Sequence, residues 1–175
     1  LSGSEYRLMA LTRKRLDKMQ DFAERMARDN DVDAKIMATT DRRAALKGAD
    51  YVVVMIQVGG VDAFKLDYEI PMRYGVDNCI GDTMGPGGVF RALRHIPALL
   101  EIARDMQDLC PNAILFNYAN PMAMCCWALG RVPGLKFIGL CHGVQTTMDL
   151  IASYVGEKKE DIDFIAAGIN HMAWF

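Results

Sequence analysis

Apolar and polar positions along the chain follow two different periods, and the switches between them mark out the elements. Residues 13 to 30 carry Leu16, Met19, Phe22, Ala23 and Met26 three and four apart among charged neighbours, which predicts an amphipathic surface helix. A short apolar piece at Tyr6 to Leu11 precedes it. Lys35 to Ala38 is a strand candidate, and Asp41 to Lys47 reads as a short helix closed by Gly48. Tyr51 to Val58, YVVVMIQV, is a continuous run between Asp50 and Gly59-Gly60, the pattern of a strand covered on both faces. GDTMGPGG at 81 to 88 reads as an irregular loop that feeds a long helix from Val89 to Leu109. Ala113 to Phe116 and Lys136 to Leu140 follow as strands, Met122 to Leu129 and Gln145 to Val155 as helices, and Phe164 to Ile169 as the last strand. Pro121 stands at the first turn of its helix, where its missing N–H costs nothing. Short buried strands alternating with amphipathic helices predict an α/β fold, a mostly parallel sheet with helices on both faces.

Composition narrows the setting. With 175 residues, 51% of them hydrophobic, the chain is expected to form one globular domain; at that length a domain buries roughly 70% of its unfolded surface and needs no disulfide scaffold. The cysteines, Cys79, Cys110, Cys125, Cys126 and Cys141, are odd in number and irregularly spaced, which points to a reducing, cytoplasmic compartment. A net charge of −2 without a basic stripe argues against a nucleic-acid partner. Residues 110 to 130 contain no charged side chain, but Asn112, Asn117, Asn120 and Pro121 interrupt them, so they read as buried core and no membrane partner is expected. The chain opens at Leu1 and stops at Phe175 directly after a polar motif, and is expected to be a fragment.

In an open α/β sheet, ligands bind outside the carboxyl ends of the strands. Those positions are polar here: Gln57, Gly59 and Gly60 after the first strong strand, Asn117 and Asn120 after the second, Cys141 and His142 after the third, Asn170 and His171 after the last. Cys141 and His171 have two readings. One is a small buried hydrophobe and a hydrogen-bonded histidine. The other is a thiolate and an imidazole from neighbouring strand ends, which leave coordination positions open for substrate and water as a catalytic metal site requires. His142 suits general acid or base work, since the ordinary imidazole pKa of about 6.5 lies near working pH. Asp82 is either a turn residue or a carboxylate aimed into the site. The loop glycines allow close backbone approach to a ligand, but the loop is neither a Walker sequence nor GxGxxG. His95, after Arg91 and Arg94, is expected on a solvated or capping face; Cys125 and Cys126 are expected to be packing.

VGGVDAF at 58 to 64, GDTMGPGGVFRALR at 81 to 94, NYANPMAM at 117 to 124, CHGV at 141 to 144 and GINHMAW at 168 to 174 together resemble glycoside hydrolase family 4, and within it the melibiase-type α-galactosidases. The resemblance runs in order along nearly the whole chain. It implies a Rossmann-like fold related to lactate and malate dehydrogenases, with residues 1–175 a partial NAD-binding domain running into the start of a catalytic portion, the N-terminal glycine loop and C-terminal half lying outside. It also implies hydrolysis of α-galactosides without the usual carboxylate pair. NAD takes hydride from sugar C3, a base removes the C2 proton, the aglycone leaves, water adds and hydride returns. A divalent metal, usually manganese, stabilises the enediolate.

By the same resemblance Cys141 and His171 are metal ligands, His142 the acid that assists the aglycone, and Asp82 the carboxylate that strengthens the base. Asn120 and Asn170 contact sugar hydroxyls, and Gln57, Val58, Gly59 and Asn117 line NAD. The tyrosine base of the family falls beyond Phe175, so the segment alone is expected to be inactive. Ala10 to Thr12 stand where the ribose-holding acidic residue is expected, and Gly143 replaces the serine of the melibiase tetrad, which keeps α-glucosides and uronic-acid α-glycosides open as substrates. The implied partner is a small sugar, and the implied assembly is a homodimer or tetramer at full length. Two rivals remain. A 2-hydroxy acid dehydrogenase would show NYANP but use no metal, and an inactive truncated remnant would show no chemistry.

Overall fold

The computed structural model describes residues 3–78 and 82–175. Cys79 and Gly81, both singled out above, lie outside the described residues. The chain divides into two compact units, residues 1–50 with 104–111, and residues 51–103 with 112–175.

In the first unit, β1 (Ser4–Met9) pairs in parallel with β2 (Ala34–Thr39), Ser4 opposite Ala34, with α1 (Arg13–Asp29) as the crossover. The helical spacing of residues 13 to 30 is realised, and Leu16 is its fully buried anchor. The short helix α2 (Arg42–Leu46) forms because Asp41 caps it, its Oδ1 accepting the N–H of Arg43 at 2.9 Å and of Ala44 at 3.2 Å. Gly48 follows in the left-handed region, φ +67°, and donates its N–H to the Leu109 carbonyl at 3.0 Å. Leu46, Met106 and Cys110 supply the apolar core.

Asp105 ties this unit together. Arg42 Nε donates to its Oδ2 at 2.7 Å and Arg43 to its Oδ1. Burial alone would raise the Asp105 carboxyl, but the hydrogen bonds from Arg42 and Arg43 outweigh it together and hold the group below the usual carboxylate value. A depressed folded pKa means stability that is present above the unfolded value, about 3.9, and lost as pH falls through the folded one. Asp105→Asn in the full-length protein is expected to cost about 2 kcal/mol at neutral pH and to flatten the acid limb of the thermal midpoint below about pH 4. An unchanged acid limb would show that the clamp carries no acid sensitivity.

The second unit is built on a parallel sheet in the order β3 (Tyr51–Val54), β4 (Ile114–Asn117), β5 (Lys136–Gly139). Tyr51 lies opposite Ile114 and Ile114 opposite Lys136, so the strands end together at Val54, Asn117 and Gly139. Two expectations about β3 are corrected here. The run YVVVMIQV is strand for only four residues, because β4 ends at Asn117 and Tyr118 donates its N–H to Val54 as it turns away, leaving Met55 onward no ladder partner. Tyr51 and Val53 are 68% and 58% exposed, so β3 is not covered on both faces.

The stretch after Gly59-Gly60 is a helix the sequence reading did not assign, α3 (Gly60–Arg73). Its buried positions are Asp67 and Pro71, while Phe64, Leu66, Tyr68 and Ile70 remain exposed, so no clean apolar stripe announces it. Helix α4 (Gly85–Leu109) begins four residues before Val89. Pro86 suits a first turn, and Gly87 and Gly88 are buried, so packing compensates for their poor helix propensity.

Helix α5 (Met122–Leu129) buries Cys125 and Leu129, and α6 (Gly143–Val155) buries Met148 and Ala152. A short 3-10 turn, Lys159–Asp161, follows. The final apolar stretch is also corrected. β6 (Ala167–Ile169) does not join the parallel sheet but pairs antiparallel with β7 (Met172–Trp174), and Asn170 and His171 form the tight connection. No helix among the described residues is long and apolar enough to cross a membrane.

Candidate active site

The strands β3, β4 and β5 stop at the same level, and the chain leaving each one turns sharply. After β3, Gln57 accepts the N–H of Gly60 at 3.1 Å, and Gly59, at φ +82°, starts α3 in a conformation that a side chain would strain. After β4, Asn117 is fully buried. Its Oδ1 takes the N–H of Ala119 at 3.2 Å and its Nδ2 donates to the Ala119 carbonyl at 3.1 Å, so the side chain is spent on the turn that presents Asn120. A cis peptide bond joins Asn120 to Pro121. After β5, Cys141 precedes the exposed His142, which opens α6, and Gly143 donates its N–H to the Cys141 Sγ at 3.3 Å.

The fourth contribution comes from the hairpin rather than from a parallel strand. His171 stands at φ +60°, a region that disfavours L side chains. From there its Nε2 lies 3.5 Å from the Cys141 Sγ. Its Nδ1 lies 2.8 Å from the Thr83 Oγ1, which in turn donates to Asp82 Oδ1 at 2.8 Å. The other Asp82 oxygen accepts Asn120 Nδ2 at 3.0 Å. Cys141, His171, Thr83, Asp82 and Asn120 are thus one continuous polar cluster drawn from four segments. The neighbouring Asn170 has a buried Oδ1 without a hydrogen-bond partner. Among the described residues no group of three or more His, Cys, Asp and Glu side chains is gathered for a metal ion. Cys141 and His171 are the one thiol–imidazole contact among the described residues of this cluster.

Behind the crest, α4 supplies supports that sequence reasoning missed. Arg91 donates from Nε to the Asn120 carbonyl at 3.1 Å and from its other end to Gln57 Oε1, joining the turns after β3 and β4; its guanidinium also lies 5.4 Å from the Phe64 ring centre. His95, expected on a solvated or capping face, is fully buried. Its Nε2 accepts the Val58 N–H at 3.2 Å, which leaves Nδ1 to carry the proton and donate to the Arg91 carbonyl at 2.9 Å. The signal for both was present: Arg91, His95, Leu99 and Ala103 recur every four residues, so the two polar groups lie on the apolar stripe. Arg94 pairs with the buried Asp67 of α3 at 2.8 Å, joining the two helices.

Burial is the main cause lowering the His95 pKa, against the opposing hydrogen bond to Arg91. A depressed histidine favours the folded state fully above the unfolded pKa of about 6.5, and that contribution falls as pH drops below it because the unfolded chain binds more protons. The thermal midpoint of the full-length protein should therefore fall on acidification from pH 7.5 to 5. His95→Asn should lower the midpoint at pH 7.5 and flatten the profile. An equally steep profile in the variant would assign the sensitivity elsewhere. Among the other thiols, burial pushes Cys125 up to about 12, which keeps it protonated and inert, in keeping with a packing role.

Residues 1–157 match the model of family 4 glycosyl hydrolases. An α-galactosidase from Bacillus subtilis is 43% identical over 99% of this chain and 40% of its own length. The chain spans 36–40% of the length of the curated α-galactosidases it matches. The structure of the 6-phospho-β-glucosidase from Thermotoga maritima with manganese, NAD+ and glucose-6-phosphate superposes with a TM-score of 0.84 at 26% identity, over 97% of this chain and 40% of that one. Malate dehydrogenase from Plasmodium falciparum shares the fold, with a TM-score of 0.62 at 15% identity over 95% of this chain and 46% of its own. With a Rossmann-type arrangement and a family match across nearly its whole length, the chain belongs to family 4 of the glycosyl hydrolases.

Proposed function

We propose that the full-length protein hydrolyses α-galactosides with NAD and a divalent metal ion, manganese or a similar cation, the metal being held by Cys141 and His171. In this reading residues 1–175 are part of the NAD-binding portion and the start of the catalytic one. The observation that carries it is the 3.5 Å between the Cys141 Sγ and the His171 Nε2. At that separation the thiolate and the imidazole could hold one divalent ion together. The donor set therefore fits a single metal, and two protein ligands leave room for sugar oxygens. Two α-galactosidases among the relatives support the substrate, and the manganese and NAD+ of the Thermotoga structure support the metal and cofactor.

When bound, the metal supplies Lewis acidity toward the sugar oxygens and NAD a reversible hydride acceptor. The chain's own groups do the rest. Cys141 and His171 anchor and orient. His142, exposed beside Cys141, protonates the departing aglycone oxygen. Asp82, fixed by Thr83 and Asn120, is the carboxylate that strengthens the proton-abstracting group. Asn120 and the unpartnered Oδ1 of Asn170 take sugar hydroxyls. Gln57, Val58 and Gly59 line the cofactor at the end of β3, and Asn117 braces the adjoining wall. A reducing, cytoplasmic setting keeps the Cys141 thiol available as a ligand.

The test is hydrolysis of p-nitrophenyl α-galactoside by the full-length protein, with NAD, Mn²⁺ and reductant each omitted in turn. Loss of activity on omitting NAD or Mn²⁺ supports the proposal, and activity indifferent to both overturns it. A second substrate reading rests on Gly143. A Cβ there would stand 3.3 Å from the Cys141 Sγ, so this position borders the metal end of the site, and turnover of α-glucosides or α-galacturonides in place of the galactoside would favour it.

A further inference from the structure

The His171 imidazole can offer Nε2 to a metal only if the proton sits on Nδ1, and a histidine at φ +60° on a two-residue connection has little local structure to enforce that choice. The enforcing group lies 88 positions earlier in the chain. Thr83 is 4% exposed, and its hydroxyl touches two partners, Asp82 Oδ1 and His171 Nδ1, each at 2.8 Å. A hydroxyl has one proton to give and lone pairs to accept with. The Asp82 carboxylate accepts that proton while its other oxygen accepts Asn120 at 3.0 Å. Toward His171 the hydroxyl is then left as an acceptor, so Nδ1 carries the hydrogen and the bare Nε2 faces Cys141.

We propose that Thr83 is a positioning residue: through a carboxylate–hydroxyl–imidazole relay from Asp82 it sets the tautomer and ring orientation of His171 for metal binding. The inference rests on the metal reading of Cys141 and His171. Histidine ligands generally donate their second ring N–H to such a partner, and losing that partner typically weakens metal affinity about 10- to 100-fold. Gly88 makes the arrangement possible, since it lets the α4 backbone approach Thr83 so closely that a Cβ would stand 2.6 Å from the Thr83 carbonyl carbon.

The experiment is calorimetric titration of the full-length protein with Mn²⁺, without substrate, for the wild type, Thr83→Val, Thr83→Ser, His171→Ala and the Thr83→Val/His171→Ala double variant. Valine keeps the shape and removes the hydroxyl; serine restores the hydroxyl. Expected are a Kd raised about 10- to 100-fold in Thr83→Val, affinity close to wild type in Thr83→Ser, and no further loss from Thr83→Val once His171 is gone. Wild-type affinity in Thr83→Val overturns the inference. So does a Thr83→Ser variant as weak as valine, or an equal loss in the His171→Ala background, which would mark a merely structural role. A wild type that binds no Mn²⁺ overturns the metal reading itself, and this inference with it.

Discussion

Serine in place of Cys141 is expected to reduce Mn²⁺-dependent hydrolysis by the full-length protein at least about 100-fold, the upper end of what is lost when a mere outer partner of a metal ligand is removed. A neutral hydroxyl is a far poorer ligand than a thiolate, so in the proposed site His171 would be left to hold the ion without its sulfur partner. The change is nearly isosteric at a half-buried position, so the thermal midpoint without metal should stay close to that of the wild type. The measurement pairs kcat/KM across a Mn²⁺ series with a melting curve in chelator. Full activity in Cys141→Ser would remove Cys141 from the site. Lost activity together with a collapsed midpoint would make it a structural residue.

Gly88→Ala tests the architecture beneath the site. In an ordinary helix, alanine for glycine stabilises by about 1 kcal/mol. Here the added methyl would lie 2.6 Å from the Thr83 carbonyl carbon and 2.7 Å from its oxygen, both backbone atoms that cannot swing aside. Overpacking of this kind costs typically about 1–3 kcal/mol, so the net change should be destabilising by about 1 kcal/mol. The larger effect should be on function. Displacing the Thr83 backbone moves its hydroxyl away from His171 and Asp82, and a misplacement of about 1 Å can cost roughly 100-fold in rate. Assay and melting curve together decide it: a variant that melts higher and turns over normally would mean that the loop before α4 yields without disturbing the cluster.

Much of this molecule was legible along the chain, and the limits have physical causes. The helices at Arg13–Asp29, Met122–Leu129 and Gly143–Val155 and the strands at Ile114–Asn117 and Lys136–Gly139 follow local periodicity and turn chemistry closely. The motifs at 117 to 124 and 141 to 144, both within the residues that match the family, carried the assignment. The misreadings share a different origin. YVVVMIQV has the composition of a long strand, but a strand reaches only as far as its partner does, and β4 stops opposite Val54. Helix α3 hides its inward face behind Asp67, whose partner Arg94 lies on another helix.

Local sequence determines periodicity, turns and the kinds of donor available, because these depend on neighbours a few residues away. It placed Cys141 and His171 at strand ends, with two readings open for each. Their approach to 3.5 Å, the burial of His95 beneath Val58, and the relay from Asp82 through Thr83 to His171 join residues 30 to 89 positions apart. Such distances follow from strand register, from the antiparallel return of β7 and from the space left at Gly88. They are set by packing, which no short window of sequence contains.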